Sequence, residues 1–176
     1  MTKRQTIFSL DPGSVNIGGA IVSNGEPTQL FKIKGIPSRT PGIKKSFNDD
    51  MNLLIQTTLP QFEEIIEDNK VTHVVWEIPP GFGAMNQREM VQSVCTTLKV
   101  ITFQRGLYYN HFTPNYWHFQ LLGKSKNVTK KDVREELIRR HSEIAKFSYL
   151  PPDPFDAAAI GIVAHEVNNW TKQLKH

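Results

Sequence analysis

The sequence contains a single cysteine and no long hydrophobic run. Cys95 alone excludes an intramolecular disulfide and a zinc site built from several cysteines, and its place in an apolar helical pattern predicts a small buried side chain. No apolar stretch reaches the roughly 18 residues of a membrane span, so we predict no membrane partner. The first predicted strand begins near residue 6, which leaves no space for a signal or transit peptide and predicts a cytoplasmic protein.

The composition is otherwise that of an ordinary globular protein. The 176 residues are 39% hydrophobic and 22% charged, and a chain of this length can form one domain with a substantial core. The sequence contains no internal repeat and no low-complexity tract. We therefore predict a single domain over residues 1–176.

Positive charge is concentrated in one short segment. The net charge is +4, and residues 124–146 carry eight Lys or Arg against four Asp or Glu, so the entire surplus lies there. A local basic patch of this kind is typical of a surface that binds a polyanion such as nucleic acid. A solvated helix face is the alternative interpretation of the same charges.

Hydrophobic periodicity predicts an α/β fold that opens with three strands, continues with alternating helices and strands, and ends in helices. Asn24-Gly25 is a hairpin turn signal between two of the opening strands. An antiparallel meander followed by alternating helices and strands predicts a five-stranded mixed sheet with helices on both faces. Pro60 is expected to kink or split the first helix. The predicted strands cover 5–11, 17–23, 28–34, 71–76 and 111–115, and the predicted helices cover 49–69, 86–108, 117–122, 130–141 and 153–168.

Four acidic residues stand where secondary structure alone does not require them. Asp11 and Glu77 each end an apolar strand, although strands disfavour acidic residues. Asp153 and Asp156 open the last predicted helix, and their i, i+3 spacing puts them on one face, about 5–6 Å apart at Cβ. The small residues that follow, up to Gly161, allow this helix to pack close to the sheet. If the first and fourth strands are neighbours, the four carboxylates meet at one sheet edge.

Clustered carboxylates point to bound divalent cations. Two unit charges 4 Å apart repel by about 4 kcal/mol at an effective dielectric of 20, and a metal ion relieves this repulsion. Oxygen ligands without a Cys or His cluster favour Mg²⁺, with Mn²⁺ as a substitute. Two such ions can hold the attacking and leaving oxygens of a phosphodiester during displacement by water.

Each of these acids also has a structural interpretation. Asp153 could be the helix N-cap, followed by a proline at the first helical position, and Asp156 is favoured in the first turn by the helix dipole. Asp11 could be a turn residue, and Glu77 could pair with Arg88. All four acids at one sheet edge are less readily explained by separate structural roles.

The acidic motifs are similar to those of a known enzyme family. The chain resembles the RuvC-type Holliday-junction resolvases, which have the RNase H-like nuclease fold. The order of the acidic motifs along the chain carries the resemblance, because an Asp-Pro-Gly turn alone is shared with nucleotide-binding proteins. The motifs are Leu10-Asp11-Pro12-Gly13-Ser14 with Gly18, then Val75-Trp76-Glu77, then Asp153-Pro154-Phe155-Asp156-Ala157-Ala158-Ala159-Ile160.

The resemblance implies a homodimeric, Mg²⁺-dependent endonuclease that nicks two opposed strands of a four-way DNA junction. Its catalytic metal ligands would be Asp11, Glu77, Asp153 and Asp156, with two ions in each active site. The helix predicted over 86–108 has room to form the dimer face, and no small-molecule substrate is expected.

The resemblance also implies a set of DNA contacts. Lys130 matches a family lysine at the start of the helix before the last acidic motif. A second family lysine aligns with His118, which leaves open whether His118, Lys124 or Lys126 contacts phosphate. Phe82, in the loop after the glutamate, is expected to stack on bases at the crossover. The predicted DNA-binding residues are Phe82, His118, Lys124, Lys126, Lys130, Lys131 and Arg134.

Other interpretations remain open at this stage. Tyr116 and Trp117 are further candidates for stacking on bases, although core packing is the favoured interpretation of both. An RNA–DNA hybrid nuclease or another branched-DNA nuclease of the same fold is the alternative enzyme. A non-catalytic DNA-binding module is disfavoured because carboxylates beside DNA do not help binding. An ATPase like actin and the sugar kinases would need a second domain.

Overall fold

The computed structural model describes residues 4–36, 46–78 and 85–172 of the chain. Its elements follow the predicted order of three strands and then alternating helices and strands. They are β1 Thr6–Asp11, β2 Asn16–Ser23, β3 Glu26–Lys34, α1 Phe47–Asp68, β4 His73–Glu77, α2 Met85–Gln104, β5 Tyr108–Phe112, α3 Pro114–Leu122, α4 Lys130–Arg140, a 3-10 helix Ser142–Phe147, α5 Asp153–Val167 and β6 Thr171–Lys172. No helix among the described residues is long and apolar enough to cross a membrane.

The predicted mixed sheet is confirmed, with the strand order β3-β2-β1-β4-β5-β6. β1 pairs with β2 in antiparallel and with β4 in parallel orientation. Because β1 and β4 are parallel neighbours, their carboxyl ends lie at the same sheet edge. The two-residue β6 adds to the outer edge of β5 in antiparallel orientation and extends the five predicted strands.

The two faces of the sheet are covered by different helices. Side chains alternate along β1, so that Ile7 joins a core with α3, α4 and α5, whereas Phe8 joins a core with α1 and α2. The same alternation turns Asp11 towards the α5 face, because it lies four residues after Ile7. On β4, Val75 packs in the α5 core, and Glu77, two residues later, faces the same side.

Glycines allow α5 to lie directly on β1 and β2. A Cβ on Gly18 would lie 2.2 Å from the backbone oxygen of Asp153, and one on Gly161 would lie 2.7 Å from Ser9 Oγ. Neither distance is possible for a real side chain, so the close approach of the acidic helix requires glycine at both positions. The predicted close packing of this helix is therefore confirmed.

The predicted boundaries around β5 are wrong by about four residues. The second helix ends at Gln104 rather than near 108, since the chain turns at Gly106 with φ 62°. β5 therefore starts at Tyr108 instead of 111. Pro114 lies inside the predicted strand but begins α3. A residue at this position has no partner for its N–H within the helix, so proline costs no hydrogen bond there.

The structure bears on two smaller predictions about helices. α1 runs from Phe47 to Asp68 through Pro60 without a split. Pro60 and Gln56 are both exposed, so the carbonyl that loses its helical bond to Pro60 lies on the solvent side. The cap of α5 is Pro152, and Asp153 is the first helical residue rather than the N-cap.

Candidate metal centre

Three aspartates meet at the sheet edge where β1 ends. Asp11 is paired with Gly18 across the β1–β2 ladder, and Gly18 lies against the backbone of Asp153. This places the first turn of α5 over the end of β1. Carboxylate oxygens of Asp11, Asp153 and Asp156 lie within 4.8 Å of one another, close enough for one cation to bind all three.

Glu77 lies beside this cluster but outside it. Trp76, the residue before Glu77 on β4, is in register with Leu10 of β1. Glu77 and Asp11 therefore lie side by side at the ends of two adjacent strands. Oε2 of Glu77 accepts a hydrogen bond of 2.7 Å from Nε1 of Trp117 on α3. The predicted group of four acids is thus a cluster of three aspartates with a glutamate held next to it by a tryptophan.

Burial and mutual repulsion perturb these carboxyls. Burial, followed by the charges of Glu77 and Asp156, raises the pKa of Asp11 well above its usual value. Burial raises the pKa of Glu77 to about 7, although the Trp117 hydrogen bond opposes the shift. Burial likewise raises the pKa of Asp156 to about 6, and here Lys130 opposes the shift. An added cation would restore ionisation of all these groups.

Lys130 brings a positive charge to the cluster. Its Nζ donates a hydrogen bond to Asp153 Oδ1, lies 3.1 Å from Asp156 Oδ2 and lies 4.0 Å from Asp11 Oδ2. Burial lowers the pKa of this lysine, but the hydrogen bond to Asp153 and the charges of Asp156 and Asp11 raise it overall. Lys130 is therefore charged and already occupies the space between the aspartates.

The backbone of Lys130 is fixed by the start of α4. Thr129 caps this helix, since its hydroxyl accepts a hydrogen bond from the backbone N–H of Asp132 while the Asp132 carboxylate accepts one from the Thr129 N–H. Such a reciprocal capping box satisfies two backbone N–H groups that the helix itself cannot pair. Val133 anchors the helix in the core, so the position of Lys130 at the first helical residue is well defined.

The other predicted DNA contacts have different environments. Lys124 lies 3.4 Å from Asp132, and Lys131 lies 3.7 Å from Glu135, so each long side chain has an exposed surface partner. Lys126 is exposed. These lysines lie on the loop and first turn that lead to the metal centre, so they form a basic surface beside it.

Two of the predicted contacts are less available than the lysines. Arg134 donates to the carbonyl of Ser148 at 2.6 Å, and its guanidinium lies 4.8 Å from the centroid of the Phe155 ring. Phe155 lies between Asp153 and Asp156 in the sequence, so Arg134 packs against the first turn of α5 through this ring. His118 is half-buried, and burial lowers its pKa, so at neutral pH it can offer phosphate a hydrogen bond but no charge.

The aromatic candidates divide into three cases. Trp117 is only 2% exposed and belongs to the core, so the core interpretation is confirmed and stacking on bases is excluded for it. Tyr116 is exposed. Phe82 lies outside the described residues.

Sequence reasoning did not identify Trp117 as a partner of Glu77 or Lys130 as a partner of the aspartates. A signal for the first was present, because a buried indole N–H needs an acceptor, and Trp117 and Leu121 mark the buried face of α3. The acceptor, however, is 40 residues away along the chain.

Comparison with known proteins rests on structure, because neither protein-family models nor curated protein sequences match this chain. RuvC of Thermus thermophilus in complex with a Holliday junction substrate is similar over 96% of this chain and 99% of its own, with a TM-score of 0.73 and 14% identity. This chain has a RuvC-type fold. A second structure of Thermus thermophilus RuvC gives a TM-score of 0.69 at 14% identity, over 96% of this chain and 100% of its own.

A eukaryotic structure shares the fold as well. The yeast mitochondrial Holliday junction resolvase Ydc2 matches with a TM-score of 0.59 and 13% identity, over 92% of this chain and 76% of its own. The similarity to RuvC spans nearly the whole of both chains, which supports the RNase H-like fold expected from the acidic motifs.

Proposed function

We propose that the protein is a structure-selective DNA endonuclease that nicks four-way junctions with the help of divalent cations. The observation that carries this proposal is the cluster of Asp11, Asp153 and Asp156 at the carboxyl end of β1 in a RuvC-type fold. A hard divalent cation fits this donor set, because it consists of carboxylate oxygens alone. Mg²⁺ is the proposed cofactor, with Mn²⁺ as a substitute.

Each group has a distinct proposed role in the active site. Asp11, Asp153 and Asp156 would hold one cation, and Glu77 would contribute to a second. Such cations, when bound, supply charge stabilisation at the attacking and leaving oxygens of a phosphodiester. The hydrogen bond from Trp117 keeps one oxygen of Glu77 occupied and so leaves the other for this task.

The basic surface beside the centre would contact the DNA backbone. Lys124, Lys126 and Lys131 lie on one loop and the helix turn after it. Phosphate contacts position a duplex without reading its sequence, and recognition of a junction is recognition of shape. We expect binding to weaken steeply with salt, because each neutralised phosphate releases a counterion.

We also propose a homodimer that uses the exposed face of α2, since paired incision of a junction requires two active sites. Gln92, Thr96 and Val100 are exposed at i, i+4 and i+8 on this helix. An adjoining groove of about 350 Å³ between α2 and α1 is lined in part by Leu59 and Ile55. A second copy of α2 could place its side chains in this groove and cover the exposed Val100 and Leu59.

The decisive experiment is cleavage of a synthetic four-way junction in Mg²⁺ or Mn²⁺, mapped at nucleotide resolution. Linear duplex and RNA–DNA hybrid of the same sequence serve as matched substrates. We expect symmetrical nicks in the junction alone. Cleavage of the hybrid instead would favour the alternative nuclease, and junction binding with no cleavage would contradict the catalytic proposal.

The dimer is tested separately by light scattering, with and without DNA. Val100→Glu is the informative variant, because it puts a charge on the proposed contact face at an already exposed position. We expect wild-type protein at twice the mass of one chain and the variant at one. A wild-type monomer in both conditions would contradict the dimer.

A further inference from the structure

Lys130 makes contacts that a phosphate-binding lysine does not need. Its ammonium lies among all three aspartates, hydrogen-bonded to Asp153 and 3.1 Å from Asp156. These carboxylate oxygens lie within 4.8 Å of one another and define the space that a metal ion would use. The ammonium therefore lies where a metal ion would bind.

A divalent cation and this ammonium cannot occupy the site together. Mg²⁺ binds oxygen at about 2.0–2.1 Å, and it would bind the same three carboxylates that Lys130 Nζ contacts. Two positive charges at such close range also repel each other. Metal entry therefore requires the ammonium to leave.

The lysine can leave without any change in the fold. Its backbone is held by the capping box of α4, whereas its side chain is 53% exposed and rotates about four flexible bonds. An outward rotation carries the ammonium towards the surface formed by Lys124, Lys126 and Lys131, which is the surface proposed to contact DNA phosphates.

We propose that Lys130 is an exchangeable counter-ion: it neutralises the aspartates in the metal-free protein, and a divalent cation displaces it onto the DNA-binding surface. This inference rests on the proposed function for the identity of the polyanion. It makes metal and DNA binding mutually reinforcing, because the metal releases a positive charge that DNA can then use. By linkage, DNA must raise metal affinity by the same factor.

The first test compares Lys130→Gln with Lys131→Gln by calorimetric titration of Mn²⁺ in the absence of DNA. Both changes remove one positive charge from the same helix turn, but the Lys131 side chain is 81% exposed and pairs with Glu135 instead. We expect Lys130→Gln to bind Mn²⁺ on the order of tenfold more tightly than wild type. Lys131→Gln should bind as wild type does.

The second test uses the wild-type protein and so does not depend on how a variant folds. Amine acylation followed by peptide mass spectrometry measures the reactivity of each lysine in EDTA and in Ca²⁺. We expect Lys130 to be protected in EDTA and to become several-fold more reactive in Ca²⁺. The reactivity of Lys131 should stay the same in both.

The third test measures the linkage between metal and DNA. Affinity for a four-way junction is measured in EDTA and in Ca²⁺ as a metal that supports binding. Lys130→Gln should weaken junction binding more in Ca²⁺ than in EDTA, because only the metal-loaded protein has released the lysine. Lys131→Gln should weaken it by the same factor in both.

The outcomes separate this inference from the proposed function. Unchanged or weaker Mn²⁺ binding by Lys130→Gln, or unchanged Lys130 reactivity in Ca²⁺, overturns the exchange even if the wild-type protein cleaves junctions. Release of Lys130 by Ca²⁺ in a protein that cleaves no junction supports the exchange and contradicts the nuclease. A wild-type protein that binds neither Mn²⁺ nor Ca²⁺ contradicts both.

Discussion

His73 and Glu77 begin and end the same strand, β4, and their side chains point to the same face of the sheet. Both are titratable and partly buried. Glu77 lies beside three aspartates and a lysine, whereas His73 lies among aromatic rings. Its ring stacks on Tyr108 with 4.8 Å between centroids and meets Trp170 edge-on at 4.5 Å.

Burial has opposite consequences at the two ends of this strand. At the His73 end, burial and then the charge of His165 lower the pKa of the ring to about 4, so the group is neutral at physiological pH. At the Glu77 end, burial raises the pKa of Glu77 to about 7 and that of Asp156 to about 6, and the Lys130 ammonium lies 3.1 Å from Asp156. At the first end, Nδ1 of His73 is hydrogen-bonded to the Thr72 hydroxyl at 2.7 Å, whereas the second end is acidic and holds a charged lysine.

This contrast shows that a perturbed pKa alone does not identify a functional site. The His73 shift follows from burial among aromatic rings and, second, from the charge of His165. The shifts at Glu77, Asp11 and Asp156 arise from burial together with like charges that the fold holds close. Such repulsion is unfavourable for folding, and a bound cation, as proposed above, would relieve it.

The largest effect is expected from a substitution in the acidic cluster, at the Glu77 end of β4. Asp11→Asn keeps the size of the side chain and removes its charge, so cation binding should be lost and junction cleavage should fall by at least about 10³-fold. Junction affinity in EDTA should change little, because Asp11 is not part of the basic surface. Quantitative cleavage and binding assays measure both effects.

Asp11→Asn should also leave the metal-free protein as stable as wild type or more so, because it removes one of the repelling charges. Thermal melts in EDTA test this. Cleavage at the wild-type rate would show that Asp11 is a turn residue only, and the contrast between the two strand ends would lose its functional meaning.

The second prediction concerns the residue that orients Glu77. Trp117→Phe removes the N–H donor and keeps most of the ring, so the carboxylate loses its fixed orientation. Partners of metal ligands typically contribute 10–100-fold to metal affinity or activity, so we expect about a tenfold loss of cleavage rate at saturating junction. Junction affinity should not change.

A matched control separates orientation from packing. Trp76→Phe makes the same change in size at a buried position whose ring belongs to the opposite core. Both variants should lose a similar amount of stability, but only Trp117→Phe should weaken metal binding. Equal losses of metal affinity in the two variants would show that Trp117 acts through packing alone.

The residue positions at the charged end could be predicted from the sequence for a physical reason. Acids at strand ends and at the start of a helix with small residues are local patterns, and the parallel pairing of β1 and β4 brings them together. The side-chain partners could not be predicted this way. Lys130 meets Asp153 across 23 residues, and Trp117 meets Glu77 across 40, and only the packing of α3, α4 and α5 fixes these contacts.

Boundaries were hardest to predict where local signals compete. The apolar and aromatic residues around Leu107 and Tyr108 fit a helix as well as a strand, and the turn at Gly106 decides between them. β6 has only two residues, too few for a periodic pattern. Most of the His73 surroundings also come from distant segments, because Trp170 and His165 reach it only once α5 has packed.

The third prediction is a pH dependence of opposite sign for the two ends. Glu77 and Asp156 have folded pKa values raised to about 7 and about 6. The stability that these two carboxyls contribute is therefore fully present at a pH below their pKa values in the unfolded chain, which are about 4. It is lost as the pH rises through 6–7. Without metal, the free energy of unfolding should decrease over this range, and Mg²⁺ should reverse the decrease.

Chemical denaturation in EDTA and in Mg²⁺, at several pH values, checks this effect. Glu77→Gln should remove part of the decrease, because it removes one of the raised groups. A metal-free stability that does not fall between pH 4 and 7 would mean that Lys130 alone neutralises the site.

The smallest expected effect is at the other end of the strand. The folded pKa of His73 lies below its usual value of 6.5, so its contribution is present above that value and is lost as the pH falls towards 4. His73→Phe preserves an aromatic ring between Tyr108 and Trp170 and cannot take up a proton. Since His73 is only partly buried, we expect the variant to gain about 1 kcal/mol at pH 4 relative to wild type, measured by denaturation. Cleavage and metal affinity should stay within about twofold of wild type, because His73 is not part of the acidic cluster. A clear loss of cleavage would show that the two ends of β4 are coupled.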